Sequence, residues 1–368
     1  DSRLRIILLT FEDDRFSITP KAKATWLDKL KEEEIVWKHL KWHSGKLKLV
    51  KKAYDLICSL FYGTALIHRY HVHSIYSEGF PGAILGHILA KLNRCRHIVH
   101  TYEPHADYML EGGTWSKQSW EFRLLKSWEK IVGRSADALI TATQGYKEEA
   151  KSWCGSADKI HVIPSLIDTT QFYRDEKARR QIREQYGVHD HEIVLVYLGK
   201  FGGMYMDEEL FSFFAQCEKV TNYSFRYWIF TATSEHEVED RFRTVEIPTE
   251  KVRIVRLEHH EVSRNLSACD VGMVAVRPFP SKRYCSPIKT GEYWACGLPI
   301  LIPKGVSDDY YMVEHEGGGQ SLENMFAQEV NWEKLLNCDP QDQMLLAKRY
   351  RSLQDSLAYF IQILIEGD

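Results

Sequence analysis

The sequence predicts an α/β protein of two domains, each built on a mainly parallel sheet. Short runs of β-branched or aliphatic residues alternate with longer amphipathic stretches, which is the pattern of repeated βαβ units. The chain has 368 residues, enough for two domains of ordinary size, and the alternation restarts near its middle. We therefore expect two sheets of the same design.

The first half contains five predicted strands with helical crossovers between them. They are residues 5–10, 74–77, 97–101, 138–142 and 161–163. A proline and a polar turn follow, so we place the linker at residues 164–174. The predicted N-terminal domain is therefore residues 1–168.

The second half restarts the pattern with five more predicted strands. They are residues 192–199, 225–230, 252–257, 270–276 and 298–303. The predicted C-terminal domain is residues 169–343, and one amphipathic helix at 344–368 is expected to pack back on the first domain. Ligands of such sheets bind beyond the carboxyl ends of the strands, so functional residues are sought in the loops that follow them.

Composition excludes several classes of protein. No apolar run approaches the roughly 18 to 20 residues of a membrane span, and the N-terminal apolar run is too short for a secretory signal. The net charge of −3 gives no general reason to bind nucleic acid. The eight cysteines include no CxxC pair, which favours a reducing compartment, and we expect a cytoplasmic protein.

The segment YCSPIKTGEYWACGLPILIP is the most informative in the chain. Ser286 suits an N-cap and Pro287 the first helical position, so a helix is predicted to begin there. Lys289 would then be the third helical residue, close to the positive end of the helix dipole, where a cation is unfavourable unless an anion binds. Exposed amides at a helix start together with a lysine predict a phosphate site.

Glu292 follows Lys289 by three residues and shares its helix face. Its carboxylate is placed to accept hydrogen bonds from a ribose. The alternative is an ordinary ion pair between Lys289 and Glu292 on a solvated helix.

These residues resemble glycosyltransferase family 4, whose members are retaining enzymes of the GT-B fold, with two Rossmann-like domains facing a central cleft. Glu292, Ala295, Gly297 and Pro299 match the family's glutamate and A-x-G-x-P turn. Further similar segments are LITATQGYKEE, IPSLIDTTQF, YLGKFG and RLEHHEVSRNLSACDVGMV. The resemblance covers nearly the whole chain.

The resemblance implies a donor site for a nucleoside diphosphate sugar, with UDP or GDP expected and no further cofactor. One departure concerns the family's two glutamates eight positions apart: the ribose role carries over to Glu292, but Tyr284 stands where the sugar-contacting acid is expected. Main-chain groups around Tyr284 are expected to replace it. The predicted donor-binding residues are Lys200, Gly202, Tyr284, Ser286, Pro287, Ile288, Lys289 and Glu292.

Lys200, after the first strand of the second domain, matches a basic residue that neutralises the diphosphate in the family. A surface lysine in a turn is the alternative. The partner lysine that many members carry is absent, since Tyr205 stands there, and Lys289 is the expected substitute. Gly202 permits close approach of the backbone to a ligand.

The segment HTYEPHADY resembles a subgroup of the family with an E-P-H sequence at the cleft. His105 is the candidate for contact with the donor sugar near the reacting carbon, and Glu103 for holding the acceptor or orienting His105. Glu78 is a further candidate for acceptor binding. Each histidine has an ordinary packing role as its alternative, and His100 is expected to be a strand residue.

Two other segments carry polar clusters. The EHHE sequence at 258–261 has no matching set of ligands for zinc, so ligand contact or turn chemistry is expected and no metal site is predicted. Residues 37–61 interleave lysines with tryptophans and leucines, which suits either peripheral contact with an anionic membrane or a solvated helix face.

The sequence thus predicts a retaining glycosyltransferase, of the hexosyltransferase type, that acts without a metal on an acceptor hydroxyl. The acceptor is expected to be a saccharide or a lipid-linked molecule, in the assembly of surface polysaccharide or glycolipid. Two alternatives remain, a nucleotide-sugar epimerase of the same fold and a non-catalytic nucleotide-sugar-binding protein. A nicotinamide-dependent oxidoreductase is disfavoured because no G-x-G-x-x-G follows a strand.

Overall fold

The computed structural model describes residues 4–13, 18–43 and 48–365, and over these residues the α/β class is confirmed. The strands are β1 Ile7–Asp13, β2 Val36–Trp42, β3 Ser74–Glu78, β4 Arg96–Thr101, β5 Ala138–Thr141, β6 Ile160–Val162, β7 Glu192–Leu198, β8 Ser224–Phe230, β9 Val252–Val255, β10 Val271–Met273, β11 Ile300–Pro303 and β12 Gly319–Leu322. The helices are α1 Pro20–Glu32, α2 Lys48–Tyr70, α3 Gly79–Asn93, α4 His105–Glu111, α5 Trp120–Ser135, α6 Gln144–Cys154, α7 Glu176–Gln185, α8 Glu208–Cys217, α9 Glu235–Thr244, α10 His259–Leu266, α11 Ile288–Ala295, α12 Asp309–His315, α13 Trp332–Leu336, α14 Pro340–Arg351 and α15 Leu353–Ile365.

The chain divides into two compact units. One consists of residues 1–75 and 81–97, and the other of residues 76–80 and 98–368. The domain boundary expected near residue 168 was placed where the first set of predicted strands ends and the second begins. This division into compact units does not test it, and it stays a prediction.

The first unit contains a strand that the sequence did not reveal. Strand β2 pairs in parallel with β1, Ile7 lying opposite Val36 and Asp13 opposite Trp42. The end of β2 is held by Asp55 of α2, whose carboxylate accepts from the backbone N–H of His43 at 2.8 Å. Residues 37–61 are therefore part strand and part helix, which corrects the alternative of a single solvated helix face, and residues 44–47 among them lie outside the described residues.

Strands β3 to β6 form a sheet in that order. Helix α15 packs on it: Ile363 is 1% exposed and lies in a cluster with Ile98, Ile140 and Ile163. The predicted single terminal helix is wrong in one respect, because α14 and α15 are separate helices that break at Ser352. At that break Ile167 donates to the carbonyl of Arg351 at 2.8 Å, and Leu353 donates to the carbonyl of Ile167 at 2.9 Å.

The second sheet has six parallel strands in the order β12-β11-β10-β7-β8-β9. Read from β7, this is the doubly wound order in which the direction of winding reverses between β7 and β10. Both faces of β7 are buried, Val194 and Val196 on one side and Leu195 and Tyr197 on the other. The crevice beyond the carboxyl ends of β7 and β10 is therefore where a ligand is expected.

All ten predicted strands are present within a few residues of their expected bounds, while β2 and β12 were missed. Strand β12 is short and contains Gly319 at a φ of 152°, so it lacks the apolar run by which a strand is recognised. Among the described residues, no helix has both the length and the hydrophobicity of a membrane span.

Candidate functional site

The loops after β7 and β10 lie side by side at the reversal of the second sheet. Met206 donates its backbone N–H to the carbonyl of Ala275, and Arg277 donates to the carbonyl of Met204, both at 2.9 Å. A backbone bridge also joins Tyr205 to Val276. Residues 199–207 and 274–285 therefore form one surface at the expected ligand edge.

Helix α11 begins at Ile288, one residue later than predicted. Pro287 is its N-cap, and no side chain caps the first amides. The prediction that Ser286 is the N-cap is wrong, because its hydroxyl accepts from the backbone N–H of Ser165 at 3.0 Å and from the guanidinium of Arg351. The start of α11 is thereby left open, which is the condition for anion binding at a helix N-terminus.

Ser286 belongs to a buried polar network below α11. Arg351 is 2% exposed and also donates to the carboxylate of Asp309, which is itself 1% exposed. Ser165 in turn donates its hydroxyl to the carbonyl of Ser286 at 2.7 Å. A buried charge requires such a partner, so this ion pair fixes α14, α12 and the start of α11 together.

Lys289 and Glu292 contact each other on α11. Their ammonium and carboxylate are 2.7 Å apart, and Glu292 is 4% exposed whereas Lys289 is 33% exposed. The ion pair foreseen as the alternative to ligand binding is thus present. Because the carboxylate of Glu292 is buried, this ion pair differs from a solvated surface pair.

The side chain of Tyr284 packs against α6. Its ring lies 5.0 Å from that of Tyr146, and its hydroxyl accepts from the guanidinium of Arg283. Its carbonyl accepts from Thr143 at 3.2 Å. The phenol of Tyr284 therefore has a packing role.

The E-P-H segment meets the turn that precedes α11. Glu103 accepts from the ammonium of Lys282 at 2.6 Å, and this ammonium lies 4.4 Å from the ring centroid of Tyr108. Burial raises the pKa of Glu103, while the charge of Lys282 opposes that rise. A second link joins the same elements, since Glu111 accepts from the backbone N–H of Ser281 at 3.1 Å.

His105 is the first residue of α4 and is half-buried. Burial lowers its pKa below the usual value, and the nearby positive charge of Lys282 lowers it further, so the neutral imidazole is favoured. Pro104 gives α4 no side-chain cap. The carboxylate of Glu129 takes that place by accepting from the N–H of Ala106 at 2.8 Å.

Glu78 lies at the end of β3 beside the same segment. Its carboxylate accepts from the hydroxyl of Tyr102 at 2.6 Å, and the ring of Tyr102 lies 4.6 Å from that of His100. His100 is a buried strand residue, as expected, and bonds the hydroxyl of Tyr76 at 2.5 Å. Tyr102 therefore places Glu78 next to the loop that carries Glu103.

Lys200 is exposed in the loop after β7, with its ammonium 5.5 Å from the ring centroid of Tyr205. Gly202 and Gly203 follow with φ of 80° and 63°, conformations that side chains disfavour. The loop thus bends sharply between Lys200 and Tyr205 at the ligand edge.

The histidines of EHHE serve local structure. His259 begins α10, and its ring lies 5.5 Å from that of Phe172. Glu261 accepts from the backbone N–H of Glu258 at 2.9 Å, as in a capping box. Across residues 4–13, 18–43 and 48–365, no group of three or more metal-ligating side chains is arranged to hold an ion.

Lys282, Glu129, Arg351 and Asp308 were not foreseen as site residues. Asp308 accepts from the N–H of Gln144 at 2.6 Å and so closes the start of α6. All four residues bond to partners more than twenty positions away in the chain. Only for Lys282 does the sequence carry a signal, its place in the loop that leads from β10 to α11.

Comparisons with known proteins agree with this architecture. Residues 31–171 match the model of the family described as Glycosyltransferase Family 4. The matched range contains Glu78, Glu103 and His105, but not the segment around Glu292 on which the resemblance mainly rested. No curated protein has a sequence that matches the chain.

Solved structures with similar folds are glycosyltransferases and related enzymes. The Anabaena protein HepE, solved with UDP and glucose, is 14% identical with a TM-score of 0.70, covering 99% of this chain and 100% of its own. Sucrose-phosphate synthase from Thermosynechococcus elongatus is 15% identical, with a TM-score of 0.70 and 98% of each chain covered. WaaG, described as a glycosyltransferase involved in lipopolysaccharide biosynthesis, is 11% identical, with a TM-score of 0.61 and 98% of this chain and 100% of its own covered.

At these identities the similarity shows the fold alone. The doubly wound second sheet, the matched range and the neighbours lead to one conclusion. The fold is that of the GT-B glycosyltransferases, and residues 31–171 carry the sequence pattern of glycosyltransferase family 4.

Proposed function

We propose that the protein is a retaining glycosyltransferase that moves a hexosyl group from a nucleoside diphosphate sugar to an acceptor hydroxyl. The observation that carries the proposal is the uncapped start of α11 beside the reversal of the second sheet, with Lys289 and the buried carboxylate of Glu292 on its first turns. Helix-start amides and a cation suit a phosphate, and a buried carboxylate suits a ribose.

In this reaction the bond between the anomeric carbon and the diphosphate breaks, and its electron pair leaves with the diphosphate oxygen. The acceptor oxygen forms the new bond on the same face, and its proton passes to the diphosphate or to solvent. The amides of α11, with Lys200 and Lys289, stabilise the departing charge. No step needs a metal, so activity is expected to survive treatment with EDTA.

Glu103 and His105 supply the other side of the reaction. The lowered pKa of His105 leaves a neutral imidazole that can accept or donate a hydrogen bond at the donor sugar. Glu103 and Glu78 are the proposed contacts for the acceptor. Main-chain groups around Tyr284 take the place of an acid at the donor sugar, because the phenol itself is packed against Tyr146.

The donor site is tested by thermal-shift titration with UDP, GDP, ADP and CDP. UDP is the first choice because HepE, which has the same fold, is solved with UDP and glucose. One nucleotide is expected to stabilise the wild type, and the Lys289→Ala, Glu292→Ala double variant is expected to lose that stabilisation. Lys304→Ala is the matched control, since Lys304 forms an exposed ion pair with Glu323. If no nucleotide stabilises the wild type, the donor-site assignment fails.

Turnover separates this proposal from its alternatives. An epimerase of this fold converts the nucleotide sugar without any acceptor, whereas a binding protein holds it without turnover. A transferase releases the nucleoside diphosphate faster when acceptor is added, and NMR of the product shows the anomeric configuration of the donor. Inversion at the anomeric carbon would contradict the retaining assignment.

We propose a lipid-linked or saccharide acceptor of the kind used in surface polysaccharide or glycolipid assembly. Helix α2 supports this with a row of exposed apolar residues at helical spacing, Val50, Tyr54, Ile57 and Phe61, which are 67%, 60%, 53% and 76% exposed. Lys51 and Lys52 lie on the same helix. An apolar row beside lysines suits an anionic membrane surface, where peripheral contact would bring the enzyme to its acceptor.

A further inference from the structure

Lys282 is a buried ammonium that the proposed mechanism does not yet use. Its side chain is 7% exposed, and Glu103, its carboxylate partner at 2.6 Å, is 17% exposed. Lysine is rarely so buried, because removing its charge from water is costly without a partner. Its ammonium also lies over the ring of Tyr108, at 4.4 Å from the centroid.

Lys282 lies close to the loop that carries Lys200. The two loops are bonded to each other through Met206 and Ala275, and the ammonium of Lys200 lies 5.5 Å from the ring centroid of Tyr205. The positive charge of Lys282 acts on that same phenol, opposing the rise that burial causes in the pKa of Tyr205. Both lysines are therefore neighbours of Tyr205, at the place where the second sheet reverses.

The negative charge of a bound diphosphate calls for more than one cation in the donor site. A diphosphate carries at least two negative charges, which one exposed lysine leaves largely uncompensated. Lys289, the substitute expected from the sequence, is engaged by Glu292 at 2.7 Å. Lys282 is also paired with a carboxylate, but its partner is Glu103 of the E-P-H segment, which is a proposed contact for the acceptor.

We propose that Lys282 is a second cation for the diphosphate of the donor, and that Glu103 holds its ammonium in the empty site and competes with the diphosphate for it. The inference rests on the proposed function. Lys282 then shares the role that the sequence suggested for Lys289, which remains at the start of α11 beside Glu292. Glu103 also gains a second task, the release of Lys282 when the donor binds.

This proposal predicts opposite effects from the two partners of one ion pair. Lys282→Met keeps the apolar stem over Tyr108 and removes the charge. Since a hydrogen bond to a charged group is worth roughly tenfold or more in affinity, UDP binding should weaken by at least about tenfold, with UMP changing by less than about threefold. Glu103→Gln removes the competitor, so UDP should bind about threefold more tightly or better.

Isothermal titration calorimetry of UDP and UMP tests this, with GDP and GMP used instead if the thermal-shift series selects guanine. Lys251→Met is the matched control, because Lys251 pairs at 2.5 Å with Glu218, the residue that follows α8. The neutral double variant Lys282→Met, Glu103→Gln leaves no buried charge unpaired. It should fold even if Lys282→Met alone does not, and it should bind UDP as weakly as Lys282→Met.

The outcomes separate the two proposals. If the wild type binds neither nucleotide, the proposed function fails. If the wild type binds UDP but the double variant binds it equally well, Lys282 does not touch the diphosphate and only this inference fails. Equal weakening by Lys282→Met and Glu103→Gln would show that the pair is structural and would likewise overturn it.

Discussion

The guanidinium of Arg351 donates to the hydroxyl of Ser286, although 65 positions separate the two residues. Ser286 precedes the helix that carries the proposed donor site, and Arg351 ends α14. The same guanidinium is paired with Asp309. The open start of α11 is therefore held in place by a buried ion pair rather than by its own capping residue.

Arg351→Met is expected to lower the free energy of unfolding by about 3–5 kcal/mol, because it leaves the carboxylate of Asp309 buried without its partner. Urea unfolding monitored by circular dichroism measures this. The double variant Arg351→Met, Asp309→Leu should recover part of the loss, since it removes both charges. A loss below about 1 kcal/mol for the single variant would show that the buried charge is not what stabilises this region.

Gly272→Ala is expected to disturb the packing of α11 on the sheet. A methyl group at Gly272 of β10 would lie 2.5 Å from the Cγ and Cδ2 atoms of Tyr293, a fully buried residue of α11. Overpacking of this kind costs about 1–3 kcal/mol, and the shift of α11 should also weaken nucleotide binding. Chemical denaturation and thermal-shift titration measure the two effects.

Gly82→Ala is the control for this substitution. A methyl group at Gly82 of α3 would meet no atom within 4 Å, and alanine is favoured over glycine inside helices. The variant should be as stable as the wild type or slightly more so. A Gly272→Ala protein that matched it would refute the proposed clash with Tyr293.

Glu129 is expected to make a pH-dependent contribution to the free energy of unfolding. Burial raises the pKa of Glu129 from 4.5 to about 7 in the folded protein. Because the folded-state pKa lies above the unfolded value, this contribution is fully present below pH 4.5 and is lost as the pH rises through about 7. Glu129→Gln keeps an acceptor for the N–H of Ala106 and cannot ionise, so the variant should gain stability relative to the wild type as the pH rises.

The measurement is urea unfolding of both proteins at pH 5 and pH 8. The difference between variant and wild type isolates the effect of Glu129 from that of the other titratable groups, which both proteins share. The expected relative gain is at most of the order of 3 kcal/mol, since each pKa unit corresponds to about 1.4 kcal/mol. A difference independent of pH would mean that Glu129 titrates near its ordinary value.

The exposed apolar row of α2 predicts binding to anionic vesicles. Phe61→Asp should weaken co-sedimentation with phosphatidylglycerol vesicles by at least about tenfold, because it removes a large apolar side chain from the contact and adds a negative charge. Leu92→Asp is the matched control, as Leu92 is 66% exposed on α3 and lies outside the row. Equal losses in both variants, or no binding by the wild type, would refute the membrane role of α2.

The sequence by itself determined the class of the fold and the position of most strands. Local periodicity was sufficient for these, because a strand buried on both faces, such as β7, is a continuous apolar run wherever it packs. Turn and cap chemistry placed the start of α11 within one residue. Strand β2 was missed because its lysines and histidine interrupt the apolar pattern, and only its pairing with β1 makes it a strand.

Only the tertiary structure decided which polar groups meet. Lys282 and Glu103 are 179 positions apart, and nothing local to either residue indicates the other. The position of Ser286 suits an N-cap, but its hydroxyl accepts hydrogen bonds from Ser165 and Arg351 instead. The physical reason is that a buried charge or hydroxyl must find a partner, and the fold brings that partner from a distant segment.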